Sequence, residues 1–135
     1  MKVAAEHDLV VCSSLITHTP YAYLERVLGL WERMLAPGGT LVFTYLGARY
    51  LDQWVAGELD HYTQVTPDEG RRCAADFRRQ GHAFASLVDE YGMGFVAEGL
   101  VGYAVGRCPS LRLRHLRPGE GSSFGQDVAV VSKCG

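Results

Sequence analysis

Hydrophobic residues in this chain fall into blocks whose spacing switches between the periods of the two regular secondary structures. Asp8-Leu9-Val10-Val11-Cys12-Ser13 is a short continuous apolar run bounded by polar residues, the pattern of a parallel strand buried on both faces. After Thr19-Pro20, where proline suits the first helical position and threonine the cap, Leu24, Val27, Leu28, Trp31, Met34 and Leu35 recur at three- and four-residue spacing. Glu25, Arg26, Glu32 and Arg33 occupy much of the remaining surface, so an amphipathic helix is predicted. Ala36-Pro37-Gly38-Gly39 must end it, because proline breaks the hydrogen-bond ladder and glycine supplies the positive φ of a reversal. Thr40 to Tyr45 then reads as a second buried strand. Strand, helix, tight turn and strand form a βαβ unit with parallel strands and a right-handed crossover, which sets the fold class as α/β.

Beyond Gly47 the pattern loosens. Ala48 to Gly57 is predicted helical and Asp60 to Val65 a polar loop. Thr66-Pro67-Asp68-Glu69 repeats the cap-then-proline signal and opens a helix through Phe77 to about Gln80, with Arg78 and Arg79 in its last turn and Gly81 as its stop. From His82 to Cys108, glycines at 92, 94, 99, 102 and 106 leave strand, turn and helix all open. Leu111 to Leu116 alternates as a half-exposed strand does, Pro118 to Gly125 is a Gly/Ser-rich hairpin loop, and Asp127 to Ser132 is a compact last strand. With no repeat and no linker, residues 1–135 are expected to form a single domain.

Composition narrows the class of partner. A hydrophobic content of 47 % is that of an ordinary globular chain, and 13 basic against 15 acidic residues give a net charge of −2. Neither nucleic acid nor an anionic membrane is expected as a partner of such a balanced surface. The arginines Arg71, Arg72, Arg78 and Arg79, interleaved with Asp68, Glu69 and Asp76, read as a solvated helix face, with an anionic ligand as the alternative. No apolar run is long enough to cross a bilayer and no apolar signal core precedes the first charges, so a cytoplasmic location is expected. Cys12, Cys73, Cys108 and Cys134 are scattered without a C-x-x-C pair, which predicts reduced thiols and no metal site.

Taken in order, Asp8-Leu-Val-Val-Cys-Ser-Ser-Leu-Ile-Thr-His18, the helix, and Leu35-Ala-Pro-Gly-Gly-Thr-Leu-Val-Phe-Thr44 resemble the fourth and fifth strands of class I (Rossmann-like) S-adenosylmethionine-dependent methyltransferases. Gly125-Gln-Asp-Val-Ala-Val-Val-Ser132 resembles the closing strand of some members. The resemblance implies a partial Rossmann-like methyltransferase sheet, made of strands corresponding to the fourth to seventh with the last antiparallel, and flanked by helices. No counterpart of the family's first strand, its Gly-x-Gly loop or its ribose-binding acid occurs. Gly92-Met-Gly94 and Gly119-Glu-Gly121 do not follow a parallel strand that opens a helix, the context a nucleotide loop needs. The chain is therefore expected to be the C-terminal, acceptor-side part of a methyltransferase domain lacking the glycine-loop half.

The resemblance implies S-adenosyl-L-methionine as cofactor and a small-molecule methyl acceptor. Open α/β sheets bind ligands at the carboxyl ends of their parallel strands. By resemblance, Cys12, Ser13 and Ser14 run beside the cofactor; by themselves they also fit a small buried thiol and a strand end. His18, just before the helix, suits a catalytic role, orienting an acceptor or taking its proton near neutral pH, or else a local hydrogen bond that holds the loop. Thr44, Tyr45, Tyr50 and His61 are candidates for acceptor binding, although tyrosines such as Tyr45 and Tyr50 are more often core or rim aromatics than ligands. Gln126 and Asp127 read as the start of the last strand, satisfying hairpin backbone. The competing functional expectation is a catalytically silent half-domain that binds another protein. In either case a complementing chain, or self-association, is expected at the exposed strand edge of Asp8 to Ser13.

Overall fold

The computed structural model describes residues 6–58, 66–88, 91–119 and 125–135. The predicted polar loop and His61 lie outside the described residues, as does most of the Pro118–Gly125 loop. The first strand, β1 (His7–Cys12), leads through one turn of 3-10 helix (Ile16–His18) into α1 (Tyr21–Met34), and β2 (Leu35–Tyr45) follows at once. The helix begins one residue later than the proline signal implies: Pro20 is its cap residue, and Thr19 makes no capping bond but donates its hydroxyl to the Ile16 carbonyl at 3.4 Å. Leu35 already pairs with His7, and the next pair is Leu9 with Thr40. Ala36-Pro37-Gly38-Gly39 is thus an outward loop within β2 rather than a turn preceding it. Gly38 carries a φ of 80°, and a Cβ on Gly39 would press on the Ala36 and His7 carbonyl oxygens.

After β2 come α2 (Ala48–Val55) and α3 (Pro67–Gln80). Thr66 and Glu69 close a capping box on α3, and Gly81 ends it with a φ of 80°, as the sequence pattern predicts. The glycine-rich stretch resolves into an antiparallel hairpin, β3 (His82–Val88) and β4 (Tyr91–Val96), and then α4 (Glu98–Gly106). Finally β5 (Leu111–Arg117) and β6 (Asp127–Lys133) complete the chain.

Four strands form one mixed sheet in the order β1-β2-β6-β5, with β1 parallel to β2 and β6 antiparallel to both of its neighbours. Register sorts side chains by face. Val10, Leu41, Val131 and Leu113 lie in one row and Cys12, Phe43, Ala129 and Leu116 in the next, and both rows pack against Leu24, Leu28 and Trp31 of α1 and Val101, Ala104 and Val105 of α4. The opposite face carries the row Val11, Val42, Val130. There Leu9 is 58 % and Val11 63 % exposed, so β1 is not buried on both faces as its unbroken apolar run predicts. A second core gathers Leu46, Tyr50, Leu51, Trp54, Cys73, Met93 and Phe95 between α2, α3 and the hairpin. The two regions join where the Val96 amide donates to the Leu46 carbonyl at 2.9 Å. Among the described residues, no helix is long and apolar enough to cross a membrane.

Candidate functional site

Strand direction brings five segments to one edge of the sheet: the carboxyl ends of β1, β2 and β5, and the amino ends of β6 and α4. Alternation along β2 then divides that edge, sending Thr44 to the open face and Tyr45 to the core face.

On the open-face side, Ser14 adopts a φ of 59°, unique among the described non-glycine residues. Such a backbone costs about 1–3 kcal/mol unless its surroundings hold it. They do: its amide donates to Thr44 Oγ1 at 2.9 Å, and its hydroxyl shares a hydrogen bond with the Gln126 side chain at 3.0–3.2 Å. Ser14, Thr44 and Gln126 thereby fasten the ends of β1, β2 and β6 together. Ser13 is exposed beside them and Cys12 half-buried, burial pushing the Cys12 thiol up from its ordinary value.

His18 belongs to a different contact set. Its Nδ1 lies 2.9 Å from the Gly92 carbonyl oxygen and its ring stacks on Tyr91 at 4.8 Å. A carbonyl only accepts, so Nδ1 carries the proton, and in the neutral ring Nε2 holds the free lone pair. Among the described residues, none of its hydrogen bonds or ring contacts reaches Cys12, Ser13, Ser14 or Thr44. The glycines near it serve packing: a Cβ at Gly94 would collide with the Thr19 carbonyl oxygen and one at Gly92 with that of Ala85. Gly94 therefore marks a strand pressed against the 3-10 turn, and Gly92 the close approach of the other strand of the hairpin.

On the core-face side, Asp127 is 6 % exposed and pairs in register with Tyr45. Its Oδ2 accepts from the Gly47 amide at 3.0 Å and its Oδ1 from the Gly119 amide at 2.8 Å, tying the end of β2 to the β5–β6 turn. A Cβ on Gly47 would strike that carboxylate. Tyr45 is fully buried, and burial first, then the Asp127 and Glu98 carboxylates, push its phenol well above its ordinary value. Among the described residues its hydroxyl has no hydrogen-bond partner, nor has the buried Nε of Arg49, whose Nη2 reaches the Gly125 carbonyl at 3.5 Å. A cavity of about 410 Å³ opens here, lined by Ala48, Arg49, Ala97, Glu98, Pro118 and Asp127. Tyr50 is buried in the second core, close to Gly125. Of the expected residues, then, Ser14 and Thr44 come together, Tyr45 faces the other way, and His18 is held by the hairpin.

Sequence reading missed Arg49 and Glu98 and gave Asp127 only a structural part. The signal for Asp127 lies in its place: a carboxylate opening an otherwise apolar strand needs donors, and Gly47 and Gly119 supply them. Among the described residues, no cluster of His, Cys, Asp and Glu side chains could hold a metal ion, and the four cysteines are free.

No protein-family model and no curated protein matches the chain. Solved structures do match in fold. A S-adenosylmethionine-dependent methyltransferase of Methanosarcina mazei superposes with a TM-score of 0.56 at 16 % identity, covering 97 % of this chain and 61 % of its own. A candidate O-methyltransferase of Nostoc punctiforme gives 0.52 at 15 % identity, with coverages of 98 % and 33 %. A Bordetella parapertussis protein described as a possible exported protein gives 0.53 at 13 % identity, with coverages of 98 % and 41 %. The chain thus shares the fold of these structures and spans between a third and three-fifths of their length.

Proposed function

We propose that the chain is the acceptor-side part of a class I methyltransferase domain and takes part in methyl transfer from S-adenosyl-L-methionine to a small-molecule acceptor. The observation that carries this reading is the sheet order β1-β2-β6-β5 with β6 reversed between two parallel strands, the arrangement expected of the fourth, fifth, seventh and sixth strands of that family. The shared fold with longer methyltransferase structures and the open edge of β1 support it.

The residues present fit one wall of a cofactor site. Cys12, Ser13 and Ser14 would border the cofactor, with Ser14 turning the chain across the strand ends and Thr44 and Gln126 fixing it there. The cofactor supplies an electrophilic methyl group on a sulfonium. What the chain contributes is position, which alone supplies much of the acceleration when the nucleophile is held in line and water is kept out. His18 offers Nε2 as a proton acceptor for an acceptor hydroxyl or amine, its ring fixed by Gly92 and Tyr91. Thr44, Tyr45, Tyr50 and His61 are the proposed acceptor contacts. The glycine-loop half comes from residues preceding this chain or from a partner chain pairing with β1, in the cytoplasm.

Calorimetric titration with S-adenosylhomocysteine tests this reading. The chain alone should give no binding heat, and the chain joined ahead of β1 to a glycine-loop half, taken from the residues preceding it or from the partner chain, should bind in the micromolar range. Failure of the joined protein to bind would overturn the proposal and leave the other reading, a silent half-domain that uses the same open edge to bind a protein.

A further inference from the structure

Among the described residues, α1 and α4 pack on one face of the four-stranded sheet, and the composition of the other face points to what covers it. Val11, Val42 and Val130 lie there in one row and Val128 in the next, and none of the four belongs to either core. The last strand on this face, β5, is basic. In the pairing register Arg112 lies beside Ser132, His115 beside Val130 and Arg117 beside Val128. Arg114 reaches over β6 and donates its Nε–H to Ser132 Oγ at 2.6 Å. All three arginines are exposed, and among the described residues none of them has an ion-pair partner.

The valine strip crosses β1, β2 and β6, two interstrand spacings of about 4.8 Å, so it is about 10 Å wide. That is the width of one α-helix. A helix laid along it carries one flank above β5, where the arginines favour acidic side chains. Nucleic acid fits this face poorly, because the valines offer phosphates nothing and none of these residues is a Phe, Tyr or Trp on which a base could stack. A bilayer fits poorly as well, since Val42, Val128 and Val130 are half-buried in the sheet rather than projecting from it. Chain direction supplies the source of the helix. The crossover from β1 to β2 places α1 on the core face, and a right-handed crossover running the other way, outward from β1, places its helix on the opposite face. We infer that the open face docks an amphipathic helix of the half that completes the sheet, its apolar stripe on the valines and an acidic flank on Arg112, Arg114 and Arg117. The source of the helix rests on the methyl-transfer reading; the chemistry of the face does not.

The test is a charge swap on the 135-residue chain, read by fluorescence anisotropy of two labelled synthetic helical peptides about five turns long. Both carry the same leucine stripe, flanked by glutamate in one and by lysine in the other. The glutamate peptide should bind saturably and about tenfold more tightly than the lysine peptide, the scale of three exposed charge pairs. Reversing Arg112, Arg114 and Arg117 together to Glu should invert the order, and changing all three to Gln should level it, which decides the matter if the reversed variant does not fold. Val42→Thr with Val130→Thr, which keeps the side-chain shape and the strand preference, should weaken both peptides several-fold. The chain joined to its glycine-loop half should bind neither peptide, its own helix already occupying the face. No binding, equal binding of the two peptides, an order that survives reversal, undiminished binding by the threonine variant, or binding by the joined protein equal to that of the chain would overturn the inference. So would cosedimentation with phosphatidylserine–phosphatidylcholine vesicles that is lost on charge reversal, which would assign the face to a bilayer. The two readings fail separately. A joined protein that excludes the peptides but does not bind S-adenosylhomocysteine removes the methyl-transfer reading and keeps the docking face, and one that binds S-adenosylhomocysteine while the chain shows no peptide preference removes the docking face alone.

Discussion

At the residue scale, the buried groups at the carboxyl edge set a pH dependence that can be read directly. The Tyr45 phenol has an ordinary value of 10.0, and burial followed by Asp127 and Glu98 raises it in the folded chain. Below that ordinary value the phenol is protonated whether the chain is folded or not, and its contribution to stability is complete. Above it the unfolded chain releases the proton while the folded chain keeps it, so the unfolded state binds fewer protons and stability falls as pH rises. The slope approaches about 1.4 kcal/mol per pH unit once the unfolded phenol is ionised. Tyr45→Phe removes this loss. Urea unfolding of both proteins should give a constant difference up to about pH 9, after which the parent should lose roughly 1 kcal/mol relative to the variant by about pH 11. Parallel curves across that range would show that the phenol ionises alike in both states. The pH dependence was not legible in the sequence, where Tyr45 is a candidate acceptor contact or a core aromatic at a strand end. Its role depends on Asp127, which lies opposite only once β6 inserts beside β2.

At the scale of elements, legibility follows how local the cause is. The βαβ unit, the capping box of α3 and the last two strands depend on spacing, caps and turns within a few residues, and the sequence places them to within a residue or two, except for the start of β2, which lies at Leu35 rather than Thr40. The stretch from His82 to Cys108 was illegible because its glycines answer to distant neighbours. Gly94 is a glycine since the Thr19 carbonyl occupies the space of a side chain, whereas a Cβ on Gly99, in the first turn of α4, would meet nothing within 4 Å. Identical residue types therefore predict opposite outcomes. Gly94→Ala should destabilise by about 1–3 kcal/mol, as overpacking does, and loosen the hairpin that fixes His18. Gly99→Ala should be neutral or stabilise by up to about 1 kcal/mol, since alanine loses less backbone entropy in a helix. Thermal and urea unfolding of the two variants checks both signs, and destabilisation by Gly99→Ala would mean that α4 is not the helix described.

At the scale of the whole molecule, the two edges of the sheet differ in a way that bears on what completes it. The β5 edge carries Arg112, Arg114, His115 and Arg117, all exposed, and charge of this kind blocks the addition of another strand. The β1 edge carries Leu9 and Val11 instead, 58 % and 63 % exposed, and the row from Val11 through Val42 to Val130 continues inward beneath them. Covering one such side chain is worth about 1.5–3 kcal/mol, so the β1 side gains from association while the β5 side resists it. Without a complementing half, the chain should self-associate through β1 as concentration rises. Val11→Lys should hold it monomeric without loss of helical or strand signal, because the side chain lies outside both cores. Sedimentation velocity over a concentration series measures this, with Arg114→Ala as the control that leaves the β1 edge untouched. A parent chain that stays monomeric throughout, or a Val11→Lys variant that associates as the parent does, would place the completing surface elsewhere and remove the structural support for pairing at β1.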